Sequence, residues 1–290
     1  MDMTQRVKEY VLSCGMSLVG IASIDRFENV PAGRKPEEIL PGAKSVIVFG
    51  NYISDGVVQA KFRAKEDGNK AAEAIYGRYG HTMVPSIHLI GATYMICHFI
   101  ERETGLPALP TMTGPWSLGR SFSHRHAAVA AGLGEFGWNK AVITPKYGER
   151  VRWGAIVTQL ELTPDPLYSG EKLCSECGLC VSKCPTGAVP PISDENAETF
   201  ECAGKTFRYG KINFNACRTA CYALTKATGG DKDYLTAENP TDDDIEAAVQ
   251  SKGFAPGDTL RPPTWRCDLC MDYCPSGDWK KKFKDRGLAK

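Results

Sequence analysis

The sequence predicts an α+β fold, with a mixed layer of helices and strands over residues 1–165 and a smaller cysteine-bound module over residues 166–290. Three observations carry that expectation. A chain of 290 residues, 42% of them apolar, can bury a substantial core. Helical and strand patterns are mixed without the regular alternation that builds a parallel sheet. The proline-rich "LTPDPLYSG", residues 162–170, then separates this mixed region from one dense in cysteine.

The elements follow in order. Val7, Tyr10 and Val11 have helical spacing over residues 4–14, and Gly15 is placed to end that helix. "SLVGIA" and "SVIVFGNY" read as buried strands. A long helical region spans residues 71–103, broken or re-entered near Pro85 and closed by Gly105. Its apolar stretch, residues 87–100, is interrupted by His88 and His98 and is shorter than the ~20 residues a bilayer requires. It reads as a core helix, and no membrane partner is expected. "HRHAAVAAG" is a short helix, while "AVIT" and "VRWGAIVTQLEL" are strands. Gly132, Gly134 and Gly137 match G-x-G-x-x-G, but that fingerprint must follow a strand and open a helix. Here it follows an alanine-rich helix and precedes a strand, so a dinucleotide is not expected.

The cysteines carry the chemistry. Cys174, Cys177, Cys180 and Cys184, followed by Pro185, have the C-x2-C-x2-C-x3-C-P spacing of a [4Fe-4S] site, in which the fourth thiolate serves another cluster. Cys267, Cys270, Cys274 and Pro275 repeat the pattern, but Thr264 stands where the repeat would begin. Crossover gives one cluster Cys174, Cys177, Cys180 and Cys274. The other receives Cys184, Cys267 and Cys270 and lacks a ligand, which Cys202, Cys217 or Cys221 could supply. The second part of the chain is therefore expected to be ferredoxin-like.

Twelve cysteines in a chain without the layout of a secretory signal point to metal ligation in a reducing compartment, the cytoplasm. A formal net charge of +1 gives no broad nucleic-acid footprint, so nucleic acid is an unlikely partner on this expectation.

"AAVAAGLGEFGWNKAVITPKYGERVRWGAIVT", residues 127–158, resembles the cobalamin-dependent epoxyqueuosine reductases and reductive dehalogenases. "SVIVFGNY" is similar to the strand and turn that these proteins place beside the corrin, and "YGRYGH" to their segment before a long helix. The resemblance covers most of residues 40–275. It implies a cobalamin-binding domain related to the flavin nitroreductase fold, and it implies base-off cobalamin, since no D-x-H-x-x-G run is present. A flavin in its place is a lesser alternative. It also favours Cys217 as the missing ligand, since the family's isolated cysteine is preceded four residues earlier by Asp or Asn, here Asn213. Asn51, Tyr52, Asn139, Ile143, Thr144 and Arg152 fall at corrin-side positions.

Other positions depart from the family. The aspartate that epoxyqueuosine reductases use as proton donor aligns with Leu118, and His124 and Arg125 stand at their Glu-Arg pair. Trp138 replaces the lysine of their Gly-Lys-Asn, and no helical-repeat extension for tRNA is expected after the clusters. Respiratory dehalogenases are longer and usually begin with an export signal. The expected function is a reductase acting on a small organic substrate, supplied with electrons by an external low-potential donor such as ferredoxin or flavodoxin. The alternative is an electron-transfer or corrinoid-handling protein serving a partner. His124, His126 and Tyr79 are the candidate proton donors, at most one of the two histidines serving, with Tyr76 and His81 beside Tyr79.

Overall fold

A computed structural model describes residues 2–30, 35–111, 122–252 and 267–276, with the side chains of residues 70, 74, 78 and 79 left out. Helix α1 (Met3–Ser13) is capped by the Asp2 carboxylate, which accepts from the Thr4 amide, and the chain turns out of it at Gly15 with φ +84°. Strand β1 (Leu18–Ser23) leads through a short 3-10 turn and α2 (Pro36–Ile39) to β2 (Ser45–Tyr52). Helices α3 (Asp55–Glu66) and α4 (Lys70–Ile75), a π-helical stretch (Tyr76–Met83) and α5 (Val84–Thr104) then run without a strand between them. Gly105, at φ +69°, ends α5 in a left-handed cap.

Strand β3 (Ala108–Thr111), α6 (His124–Ala130), the paired β4 (Glu135–Phe136) and β5 (Val142–Ile143), and β6 (Val151–Thr158) complete the first part. The main sheet is antiparallel in the order β1-β2-β6-β3. One face, with Ile47, Phe49 and Ile156, packs on Val7 and Val11 of α1 and on Leu89, Ala92 and Ile96 of α5. The other, with Val46, Val48, Ala155 and Val157, packs on the alanines of α6. Alternation along each strand thus fills two cores from one sheet.

The long helical region expected over residues 71–103 and closed by Gly105 is present, its Leu89, Ala92, Ile96 and Ile100 in the core. A continuous helical run, Gly80–Thr104, is long and apolar enough by length and composition to cross a membrane. One side is core, while Val84, Ile87, Ile90, Tyr94 and Met95 are exposed. The unforeseen elements hide their patterns. The buried positions of α3 are Val58, Lys61 and Ala64, so a lysine sits where periodicity requires an apolar residue.

After the proline-rich segment come α7 (Leu179–Ser182), the hairpin of β7 (Ala197–Cys202) and β8 (Lys205–Gly210), α8 (Phe214–Cys221), α9 (Asp242–Ser251) and α10 (Leu269–Asp272). The hairpin turns on Ala203 and Gly204, both at positive φ, with none of the usual Asn-Gly signal. Its Phe200, Cys202, Phe207 and Tyr209 join the same core as α6 and the sheet. That accounts for Cys202 as a packed hydrophobe.

Two of the three glycines of "GLGEFG", Gly132 and Gly134, are explained by close backbone approach, while Gly137 faces the Glu149, Asn139 and Ile143 side chains. A Cβ on Gly132 would lie 2.0 Å from the Pro166 carbonyl oxygen, and one on Gly134 would lie 2.0 Å from that of Ile143. The run leads from α6 into β4, as the sequence order requires.

Candidate functional site

Cys174, Cys177, Cys180 and Cys274 line one cavity of about 240 Å³, together with Trp138, Ile143 and Glu149. The two cysteine motifs meet there because α7 and α10, each opened within its motif, pack on one another. Gly178 enters α7 at φ +73°, and Glu176 also lies at positive φ, so the loop curls its thiols toward a common centre. The Glu135 carboxylate receives the amides of Leu173 and Cys174, tying the loop to β4. The Trp138 indole donates to the Pro190 carbonyl at 2.8 Å. The cavity is several times the roughly 30 Å³ share of one water molecule, so these thiols can surround a group larger than a single ion.

A second group gathers on α8 and α10. Cys217 Sγ lies 3.9 Å from Cys221 Sγ, and Cys221 Sγ lies 3.6 Å from the Cys267 carbonyl oxygen. Electrostatically, Cys267 interacts with Cys217 and Cys184, and Cys270 with Cys217 and Cys267. Asn213 caps α8 by accepting from the Ala216 amide, which places Cys217 one turn into the helix. The Cys221 thiol lowers Cys217 to about 7, while the same contact and burial hold Cys221 well above the ordinary thiol range. The contact thus makes Cys217 the more acidic thiol of the pair, while the Cys221 thiol donates to the Cys267 carbonyl. Among the described residues no three His, Cys, Asp or Glu side chains converge as on one metal ion. A cube differs from such a site because its four thiolates bind four separate irons.

The six positions expected beside a corrin are not gathered on one side: Asn51, Tyr52 and Arg152 lie on the main sheet, and Asn139, Ile143 and Thr144 on and around β5. Asn51 and Arg152 are directly paired across β2 and β6, so they share a face. Asn51 Nδ2 approaches the Pro85 carbonyl and His88, whereas Arg152 reaches the His81 carbonyl, Thr82 and Asp268. Tyr52 points to the opposite face and stacks on Tyr147 at 4.7 Å. The Tyr147 amide donates to Thr144 Oγ1, and Thr144 Oγ1 also donates to the Gly148 carbonyl. Asn139 donates to Glu149 at 2.8 Å and accepts from the Ala141 amide. Tyr52, Asn139, Ile143 and Thr144 thus lie on the side of the cysteine cavity. Their polar groups are internally satisfied.

Glu149 lies within the resembling stretch 127–158, although the sequence pattern assigns it no role. It is 4% exposed, lies against the Cys274 side chain, and burial pushes its carboxyl up to about 7.

The proton-donor candidates separate as well. His126 is held by Ser123 Oγ at 2.7 Å and the Tyr209 hydroxyl at 3.1 Å, with its ring edge-on to Phe136 and Phe200. His124 Nε2 lies 2.8 Å from Thr111 Oγ1, whose own hydrogen is committed to the Ala155 carbonyl. The ring must therefore donate through Nε2, and burial pushes His124 down to about 4. The unfolded chain then binds the proton first, so His124 weakens the fold as pH falls below about 6.5. Between pH 6.5 and 5.5 the wild type should lose about 1 kcal/mol more stability than His124→Gln, read from denaturant unfolding at each pH. Equal losses would remove His124 as the titrating group. His81 is fully buried and faces two carboxylates instead of an open cavity. Leu118 and Thr264 lie outside the described residues, and nothing is described of the Tyr79 side chain.

A family model described as a 4Fe-4S binding domain matches residues 170–189. An epoxyqueuosine reductase from Bacillus anthracis is 38% identical over 299 residues, covering 94% of this chain and 64% of that protein. The tetrachloroethene reductive dehalogenase of Sulfurospirillum multivorans is 32% identical over 137 residues, covering 47% of this chain and 25% of that one. The chain thus spans about two thirds or less of such relatives. The crystal structure of epoxyqueuosine reductase with an epoxyqueuosine-modified tRNA-Tyr stem loop shares the fold, with TM-score 0.54, 18% identity, and coverage of 93% of this chain and 64% of that one. A catabolic reductive dehalogenase with bound 3-bromo-4-hydroxybenzoic acid gives TM-score 0.51 and 16% identity, over 89% of this chain and 37% of that one. The tRNA complex overturns the expectation that nucleic acid is an unlikely partner. A net charge near zero describes the whole surface and says little about the field over one cleft.

Proposed function

We propose that this chain, which belongs to the epoxyqueuosine reductase / reductive dehalogenase-like family, is a reductase that delivers low-potential electrons through two [4Fe-4S] clusters to a base-off cobalamin. The observation that supports this most is the cavity that unites Cys274 with Cys174, Cys177 and Cys180, the crossed ligand set of a two-cluster module. Cys184, Cys217, Cys267 and Cys270 are assigned to the second cluster. On this reading residues 1–165 form a nitroreductase-related cofactor domain and residues 166–290 the cluster module. When bound, the clusters and the corrinoid supply the demanding redox chemistry, and the protein supplies orientation and protons.

The chain's own groups are assigned accordingly. Tyr52, Asn139, Ile143 and Thr144 wall the cofactor on the cluster side, with Asn51 and Arg152 bracing the strand ends that frame it. His126 is committed to Ser123 and Tyr209, which leaves His124 and Tyr79 for proton delivery. His124 would act as a neutral N–H hydrogen-bond donor once substrate draws its Nε2–H away from Thr111, since burial keeps its imidazolium out of the neutral pH range. The substrate is an organic molecule admitted from the "SFSHRHA" side, either free or carried as a modified nucleoside in RNA.

A turnover assay with the anaerobically reconstituted chain, an artificial low-potential donor and hydroxocobalamin tests this. Parallel reactions contain 3-bromo-4-hydroxybenzoic acid and an epoxyqueuosine-modified tRNA stem loop. Consumption of either that requires both cobalamin and reductant is the expected result. A protein that neither retains cobalamin nor turns over either compound would contradict the assignment.

A further inference from the structure

Behind the loop of Cys267 and Cys270 lies a set of buried charges drawn from separate parts of the chain. Lys61 Nζ, on α3, is 2.7 Å from Asp272 Oδ2. His81, on the π-helical stretch, places Nε2 2.8 Å from Asp272 Oδ1 and Nδ1 3.1 Å from Asp268 Oδ2. Arg152, on β6, places Nη2 3.2 Å from Asp268 Oδ1. Lys61, His81, Asp268 and Asp272 are all buried. Both carboxylates belong to "CDLCMDYCP": Asp268 follows Cys267, and Asp272 stands between Cys270 and Cys274.

Burying four ionisable groups is costly, and apolar side chains of similar volume often stabilise a fold as well or better. Simple attachment of the loop therefore leaves the charges unexplained. Their neighbours supply a reason. Lys61 interacts electrostatically with Cys267, and Asp268 with Cys217, Cys221 and Cys270. Burial alone would discharge His81, but the two carboxylates outweigh it and hold the ring protonated above its ordinary range. Two carboxylates beside a thiolate-bound cluster oppose its reduction, which adds a negative charge, and this opposition is strong where the surroundings are dry.

We propose that Lys61 and His81 are positioning residues that offset Asp268 and Asp272 and thereby set the reduction potential of the cluster bound by Cys184, Cys217, Cys267 and Cys270. The inference rests on the two-cluster assignment. The same three basic groups anchor the second cysteine motif to α3, the π-helical stretch and β6, so the electrostatic setting is built by the docking of the two parts of the chain.

The test is an EPR-monitored redox titration of the full chain, anaerobically reconstituted, with iron content measured for every sample. In Lys61→Met the second cluster should become harder to reduce. Its reduced-to-oxidised ratio at fixed potential should fall at least tenfold, about 59 mV for a one-electron couple. The first cluster should move less. Lys61→Arg should restore the wild-type potential, and the double variant Lys61→Met, Asp272→Asn, which removes both charges together, should return toward it. An unmoved second-cluster potential in Lys61→Met with iron intact would overturn the proposal. If Lys61→Met loses the cluster, the double variant decides: a potential near wild type supports charge compensation, and one at which the reduced-to-oxidised ratio has fallen tenfold or more overturns it. Wild-type protein with only about four irons would instead overturn the two-cluster assignment.

Discussion

Cys217→Ala should halve the iron bound by the reconstituted chain, from about eight to about four atoms, while Cys221→Ala should retain about eight. The two thiols lie 3.9 Å apart on one helical face. That separation is close to the contact of two thiolates on a single metal at about 2.3 Å each, whereas the ligands of a cube are spread over four irons. One of the pair is thus the ligand and the other its neighbour. Cys221 is buried, and its sulfur lies against the Cys267 carbonyl, whereas Cys217 is less enclosed and is the member favoured as thiolate. Losing Cys221 removes a sulfur hydrogen bond, which should shift the cluster's potential while the iron stays bound. Iron analysis with EPR of the reduced proteins checks both variants. Loss of a cluster from Cys221→Ala and its retention in Cys217→Ala would reverse the assignment.

Gly132→Ala should destabilise the fold by about 3–5 kcal/mol, combining left-handed backbone strain with a steric collision. Gly132 lies at φ +73°, and the added Cβ would meet the Pro166 carbonyl oxygen at 2.0 Å. Backbone on both sides leaves no flexible side chain to yield. Gly105 provides the control, because it has φ +69° with nothing within 4 Å of an added Cβ. Gly105→Ala should cost only about 1–2 kcal/mol, the strain without the collision. Unfolding midpoints measured side by side under anaerobic conditions check the difference. Equal losses would show that Pro166 yields and that the "GLGEFG" glycines are not required for close packing.

The sequence was most legible where one physical rule acts alone. Cysteine spacing pointed to the cluster motifs because each ligand loop is local and short. The runs "SVIVFGNY" and "VRWGAIVT" became paired central strands, as their apolar character requires when both faces of a sheet are covered. The order of elements around the glycine run, α6 before it and β4 after, followed from the sequence pattern, and carbonyl contacts account for Gly132 and Gly134. What stayed hidden depended on tertiary pairing. Lys61 broke the apolar pattern of α3 because its partner, Asp272, lies 211 residues away. Glu149 received no role from the sequence, because its place in the cysteine cavity depends on segments far apart in the chain. The β7–β8 hairpin lacked a standard turn signal, since Ala203 takes the left-handed conformation usually given to Asn or Gly. Net charge misled most, because it averages over a surface and cannot report on one cleft.

The assignment of a cluster-fed corrinoid reductase is tested most directly by metal analysis. The chain is reconstituted anaerobically with iron, sulfide and hydroxocobalamin, freed of unbound cofactor, and measured for iron and cobalt together with its absorption spectrum. About eight irons and about one cobalt per chain, with the spectrum of a base-off corrinoid, are the predicted result. Full iron content with cobalt at background, or a flavin spectrum in its place, would contradict the account.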